Sequence, residues 1–204
     1  MKIYRAIKNN ILTQGFGRKN TRPSMISLYE SIGMVGHNGW DWLVKCRDNA
    51  VKRGGQCENI YCDLSGQCRI TAICQDEKLG LGITAISEDK DGIFQHRWWH
   101  LDGINPKLKV GDTLESGDYL GIAGNTGLST GAHLHRDLKI MGKDTYGNYY
   151  KKEPNNGYFG GIDPEPYFTN IFILDIKDNL TKQISLLGQM VNALKKLLEI
   201  LKNK

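Results

Sequence analysis

The sequence predicts a mainly β domain, a compact antiparallel sheet or small sandwich over residues 1–170, followed by an amphipathic helical tail over residues 171–204. Three observations lead there. Glycine is frequent and proline scarce, 24 against 5, which suits many tight turns between short strands better than long helices. Apolar segments are short, and several alternate apolar and polar residues with period two, the strand signal. From about residue 174 that period gives way to a heptad.

The elements follow in chain order. QCRITAIC (67–74), LGITAIS (81–87), FQHRWWHL (94–101), YLGIAG (119–124) and HLHRDLKI (133–140) read as strands. Asp91-Gly92, Gly111-Asp112, Ser116-Gly117 and Asn125-Thr126-Gly127 read as the turns between them. No βαβ period is visible, so a doubly wound parallel sheet is not expected. Residues 141–168 are polar, aromatic and rich in Gly and Pro. They read as a long loop, and their five tyrosines suggest the wall of a binding groove. In the tail, Leu180, Ile184, Leu187, Val191, Leu194, Leu198 and Leu201 are spaced alternately four and three apart, an a/d seam widened by Leu186, Leu197 and Ile200. A lone helix of this kind is marginal in water. Its stripe must be covered by self-association, by docking on the main domain, or by a membrane surface, for which Lys195, Lys196, Lys202 and Lys204 are suited. Self-association as a coiled coil is the preferred reading.

Composition narrows the function classes. The chain has 204 residues, 40% hydrophobic and 24% charged, and mean hydropathy is −0.43, all globular values. No apolar run approaches the roughly 20 residues that span a bilayer, and the first residues show no signal peptide. Either the protein leaves the cell by another route, or it is released by lysis, or a signal lies outside the sequence. The net charge of +5 suits an anionic partner without choosing one. The basic residues form no stripe and no reader motif, so nucleic acid is not expected. Five cysteines, Cys46, Cys57, Cys62, Cys68 and Cys74, fall in one stretch with no CxxC pair. Cys46 and Cys57 could clip a polar loop, and Cys62 and Cys68 could face each other across a hairpin. Buried thiols are the equal alternative.

The histidines carry the chemistry. His133 and His135, two apart on a strand, project from one face while Leu134 goes to the other. His37 and Asp41 share a face of an extended chain. Two histidines and a carboxylate are a complete protein ligand set for a catalytic zinc, and two such pairs on facing strands would make one site. His100 is then a candidate proton carrier. His96, four residues earlier, could share its face but has nothing else to recommend it.

GHNGWD (36–41), WHL (99–101) and GNTGLSTGAHLH (124–135), in that order, resemble the lysostaphin/LytM-type zinc endopeptidases, which cleave cross-links and stem peptides of bacterial peptidoglycan. Residues 110–140 are similar to that family's most characteristic segment nearly throughout, and ILTQGFGRK (11–19) to its opening strand. The resemblance covers about 11–140 and extends toward PEPYF, which ends at 168. It implies a β-structure of the duplicated hybrid motif type with a groove across one sheet. It also implies Zn2+ held by His37, Asp41 and His135, and a catalytic pair of His100 and His133. It implies a peptidoglycan peptide as substrate and an extracytoplasmic or wall-acting protein of phage or bacterial origin. The alternative is a zinc-binding module that binds the wall or regulates a hydrolase without cleaving. Arg136, where the family usually carries an aromatic, is expected to alter sheet packing or the charge near the site.

Overall fold

A computed structural model describes residues 1–46, 57–77 and 79–202. The elements run β1 (Ile3–Arg5), β2 (Leu12–Gln14), α1 (Pro23–Ser31), β3 (Trp40–Leu43), β4 (Asn59–Tyr61), β5 (Cys68–Asp76), β6 (Gly80–Asp89) and β7 (Gly92–Ile104). They continue with β8 (Thr113–Leu114), β9 (Tyr119–Ala123), β10 (His133–Lys143), β11 (Tyr149–Lys151), β12 (Gly161–Ile162), β13 (Phe168–Phe172) and α2 (Ile173–Lys202). Each of the five strand segments read from the sequence is a strand, β5, β6, β7, β9 and β10.

The central sheet has the order β2-β3-β10-β7-β6-β5-β8. Its pairings are antiparallel, with β11 and β12 added to β10 and β9 joined to β7 and β4. A separate parallel pair joins β1 to β13. The sheet is mainly antiparallel, as the periodicity requires.

Period two divides the central strands into two faces. On one face Phe94, His96 and Trp98 of β7, Leu134, Arg136 and Leu138 of β10, and Trp40 and Trp42 of β3 are buried. The apolar ones pack with Ile3, Ile7, Ile60 and Leu120 into one core. Trp40 and Trp42 meet Phe168 at ring distances of 4.8 and 5.4 Å, so the chain after the loop returns to close this side. The other face carries Arg97, Trp99, His133, His135 and Lys139 and lines a groove of about 480 Å³.

A polar cluster lies inside the core. Arg136 forks onto Asp63, Nε to Oδ2 at 2.9 Å and an Nη to Oδ1 at 3.2 Å. It also donates to His96 Nδ1 at 3.0 Å and lies over the Trp98 ring at 4.7 Å. His96 Nε2 bonds Ser87 at 2.8 Å. Burial, reinforced by Arg136 and opposed by Asp137, holds the His96 pKa well below the ordinary histidine value. Arg136 therefore changes the packing of the core and not the charge of the groove, because it belongs to the opposite parity from His135.

The structure adds one element, corrects one reading and settles the cysteine pairing. Residues 23–31, unread as an element, form α1, one wall of the groove; Pro23 at its first turn is the signal. The 141–168 segment is partly paired to β10, and it is Lys151 and Phe159 that line the groove rather than the tyrosines. Tyr149 bonds Glu88 and Tyr158 packs on Phe16, while Tyr146 is exposed. Cys46 and Cys57 are joined as a disulfide, and residues 47–56 between them lie outside the described residues. Cys62 and Cys68 do face each other, as buried thiols 3.9 Å apart. The tail is a helix whose start is anchored by buried Phe172 and Ile173, and whose apolar stripe is exposed at Leu180, Ile184, Leu187, Val191, Leu194 and Leu198. No described helix is long and apolar enough to cross a membrane.

Candidate metal centre and groove

Asp41 on β3 and His135 on β10 are register partners, so hydrogen-bonded neighbouring strands, not facing ones, bring them together. Their side chains share the groove face. His37 precedes β3 on a segment bridged to Gly17, whose N–H bonds the His37 carbonyl at 2.7 Å. Two glycines allow this approach. A Cβ on Gly36 would lie 2.6 Å from the Arg18 backbone, and one on Gly39 would lie 2.6 Å from the Arg136 carbonyl and 2.9 Å from His135 Cε1. The Gly-His-Asn-Gly sequence is thus a packing requirement of the site.

The three donor atoms form a small triangle. His37 Nε2 is 3.1 Å from His135 Nδ1 and 3.1 Å from Asp41 Oδ1, and His135 Nδ1 is 2.8 Å from Asp41 Oδ1. Tetrahedral ligands at the 2.0–2.1 Å of zinc stand about 3.3 Å apart, so a slight expansion of the triangle admits the ion. The proton inventory agrees. His37 Nδ1 donates to the Gly15 carbonyl at 2.9 Å, which leaves the Nε2 lone pair directed at a second nitrogen. Two ring nitrogens at that distance need a proton or a cation between them. Behind the triangle, His135 Nε2 is 3.5 Å from Asp137 Oδ2, the carboxylate support common behind metal-bound histidines.

Electrostatics follow from the same contacts. Burial opposes charge on both Asp41 and His135. Even so, the histidine bonds hold Asp41 well below the usual carboxylate range. Bonds to Asp137 and Asp41 push His135 up to about 9. With a carboxylate and two ring nitrogens turned to one point, the site could hold a cation, either a proton or a metal.

His133 and His100 stand beside the triangle. His133 Nδ1 donates to the Gly131 carbonyl at 2.7 Å, and His100 Nδ1 donates to the Thr126 carbonyl at 2.8 Å. Both rings keep Nε2 as the free nitrogen. Their ring centres are 4.7 Å apart, and His133 Nε2 is 3.5 Å from Asp41 Oδ1. Burial lowers both pKa values, that of His100 to about 3 with help from His133 and His135, so both are neutral bases at pH 7.

His100 reaches this place through the backbone. β6 pairs Gly82 with Trp99 and Leu81 with Leu101, which leaves His100 unpaired in a bulge at φ 66°. Strict alternation would put it on the core face with His96 and Trp98. The bulge turns it into the groove beside Trp99 and returns Leu101 to the core. His96 accordingly does not share its face, and it is a core residue. The carbonyls of Gly15, Thr126 and Gly131, and Asp137 behind His135, were not read from the sequence. Asp137 alone had a signal, two residues after His135 on the same face.

The five predicted residues, His37, Asp41, His100, His133 and His135, thus meet in one groove. The model of peptidase family M23 matches residues 35–147, more than half of the chain. No curated protein matches. Among solved structures the chain is similar to a zinc-containing peptidase from Vibrio cholerae, at 22% identity and TM-score 0.50, over 80% of this chain and 38% of that one. It is similar also to Csd3 from Helicobacter pylori, at 15% identity and TM-score 0.52, over 84% of this chain and 34% of that one. The chain therefore spans little more than a third of these structures, and at such identities the likeness speaks for the fold. The matched residues run from the turn before His37, through β3, β7 and β10, to the hairpin beyond, and on that match the chain belongs to peptidase family M23.

Proposed function

We propose that the chain is a zinc-dependent endopeptidase that hydrolyses peptide bonds in the stem peptides or cross-bridges of bacterial peptidoglycan, acting outside the cytoplasm. The observation that carries this is the triangle of His37, Asp41 and His135 with two neutral imidazoles at its side, lining a groove of about 480 Å³. The donor set, two nitrogens and one carboxylate oxygen, fits zinc and leaves an open position. The ion, when bound, supplies Lewis-acid polarisation of a carbonyl and acidifies a water.

The rest is work for the chain. Asp41 and the tautomer of His37, fixed by Gly15, hold the donors toward one point. His133 and His100, each with Nδ1–H tied to a carbonyl, offer Nε2 to accept a proton from water and to return it to the leaving amine. A proton gained at Nε2 turns the same ring into a donor toward a developing oxyanion. Burial in the groove strengthens these bonds by excluding water.

The test is release of new amine ends from purified walls. Wild type is expected to release them, EDTA and His135→Ala to abolish release, and His100→Ala to lower it 10²–10⁴-fold with zinc still bound. Wild type loaded with zinc that releases none from walls of several cross-bridge chemistries refutes the assignment.

We infer further that the tail packs against that of a second copy. Ile184 and Val191 alternate with Leu180, Leu187 and Leu194 along the seam, each half-exposed. β-Branched residues at one seam position and Leu at the other favour two parallel strands. Sedimentation equilibrium is expected to give a dimer that Leu187→Glu dissociates. A monomer that instead binds anionic vesicles refutes this reading.

A further inference from the structure

We propose that the groove contains a carboxylate-binding subsite formed by Arg97, Lys139 and Lys151, which selects peptides bearing a carboxylate within about four residues of the cleaved bond. The proposal rests on the reading that the groove binds peptide.

The same face of β10 that presents His133 and His135 continues to Asp137 and Lys139. Asp137 lies opposite Arg97 in register. Arg97 Nε reaches its two oxygens at 2.9 and 2.7 Å, and an Nη reaches Oδ2 at 2.5 Å. That carboxylate is already engaged by a full fork. Lys139 Nζ stands 4.0 Å from Asp137 Oδ1, beyond hydrogen-bond reach, and has no hydrogen bond among the described residues. Lys139 is only 1% exposed, yet it lines the groove. Lys151, at the end of β11, lines it too and has no ion pair among the described residues.

Arg97 and Lys139 thus share one carboxylate, and Lys151 adds a third cation near Lys139. Burial disfavours the Lys139 ammonium, Asp137 supports it, and Arg97 and Lys151 add to the strain, which leaves its pKa at about 8. Buried charges are normally paired, and here Lys139 has only a long ion pair to a carboxylate that Arg97 already forks. Apart from Asp41 in the metal triangle, the charged residues of the groove wall are Arg22, Arg97, Lys139 and Lys151, all cationic. A peptide meets such a wall with its carboxylates, either a side chain or a free C-terminus. Lys139 is four residue steps along the strand from His135, about 13 Å at 3.3 Å per residue, which sets the distance from the cleaved bond.

The test uses the full chain in EDTA, so that binding is read without turnover. The probes are three N-acetylated alanine pentapeptides. One has a free C-terminal carboxylate, one a glutamate side chain with a C-terminal amide, and one neither. Calorimetry is expected to show at least tenfold tighter binding of one or both acidic peptides than of the neutral one, and the tighter one identifies the source of the carboxylate. Lys151→Met and Lys139→Met are expected to reduce that preference below threefold, with thermal melts confirming folded protein. Equal binding of the three peptides, no binding of either acidic peptide, a preference that survives both substitutions, or displacement by glycerol phosphate more readily than by glutarate overturns the subsite.

A second arm separates this claim from the peptidase reading. Walls whose carboxylates have been converted to amides are expected to be cleaved at least tenfold more slowly than untreated walls. Equal cleavage overturns the subsite and leaves the peptidase intact, whereas cleavage of neither overturns the peptidase.

Discussion

Replacing Arg136 by methionine removes one half of a buried ion pair while nearly preserving side-chain volume. Arg136 and Asp63 are both almost wholly buried, so the orphaned Asp63 carboxylate cannot turn to water. Its escape is protonation. From an unfolded pKa of about 3.9, holding that proton at pH 7 costs ~4 kcal/mol, against ~1.5 kcal/mol at pH 5. Loss of the bond to His96 and of the stacking on Trp98 adds to either figure. The expected cost at neutral pH is about 3–5 kcal/mol, a fall in Tm of roughly 6–20 °C at 2–4 °C per kcal/mol for a chain of this size.

The sign with pH follows. In the variant the folded state holds a proton that the unfolded state releases above about pH 4, so stability falls as pH rises, by up to about 1.4 kcal/mol per unit. Urea titrations followed by tryptophan fluorescence, in EDTA throughout, measure this at pH 5 and pH 7. The double variant with Asp63→Leu removes the orphaned charge and is expected to recover most of the loss. A single variant that loses less than about 1 kcal/mol, equal losses at the two pH values, or a double variant no better than the single one refutes the reasoning.

Other outcomes are expected. His96 is buried with its pKa held low, so below about pH 6.5 the unfolded state gains a proton that the native state refuses, and stability falls as pH falls; His96→Gln flattens urea midpoints between pH 5 and 6.5. Gly39→Ala drives a Cβ into the Arg136 carbonyl and His135, and is expected to weaken zinc binding at least tenfold in chelator competition, while Gly66→Ala, where a Cβ meets nothing within 4 Å, leaves it unchanged. The Cys46–Cys57 disulfide closes a separation of 11 residues, so its removal by paired serines is expected to cost up to about 3 kcal/mol in denaturant titration with metal affinity retained.

Much of this molecule is legible in its residue order because β strands write burial as alternation. That Trp98 and Trp99 lie on opposite faces, or that His135 opposes Leu134, follows from parity alone; which tryptophan enters the core does not. The His37, Asp41 and His135 set was readable from residue type and the resemblance of its motifs. Parity fails at His100, because a bulge is a backbone event and no side chain announces it. α1 escaped notice because it is nine residues long and has Arg22 rather than a capping side chain before it. The cation cluster of Arg97, Lys139 and Lys151 was illegible too, since it joins two neighbouring strands to a hairpin whose registers the sequence does not state.

The displaced position of His100 has a consequence for how this site can change. Its aim is set by one surplus residue in a strand, so deleting a single amino acid there would swing the imidazole into the hydrocarbon interior while every motif still read as present. Sequence inspection would score such a chain as intact. Gain or loss of the proton carrier can therefore be a matter of spacing, silent in composition and visible in the pairing of β6 with β7.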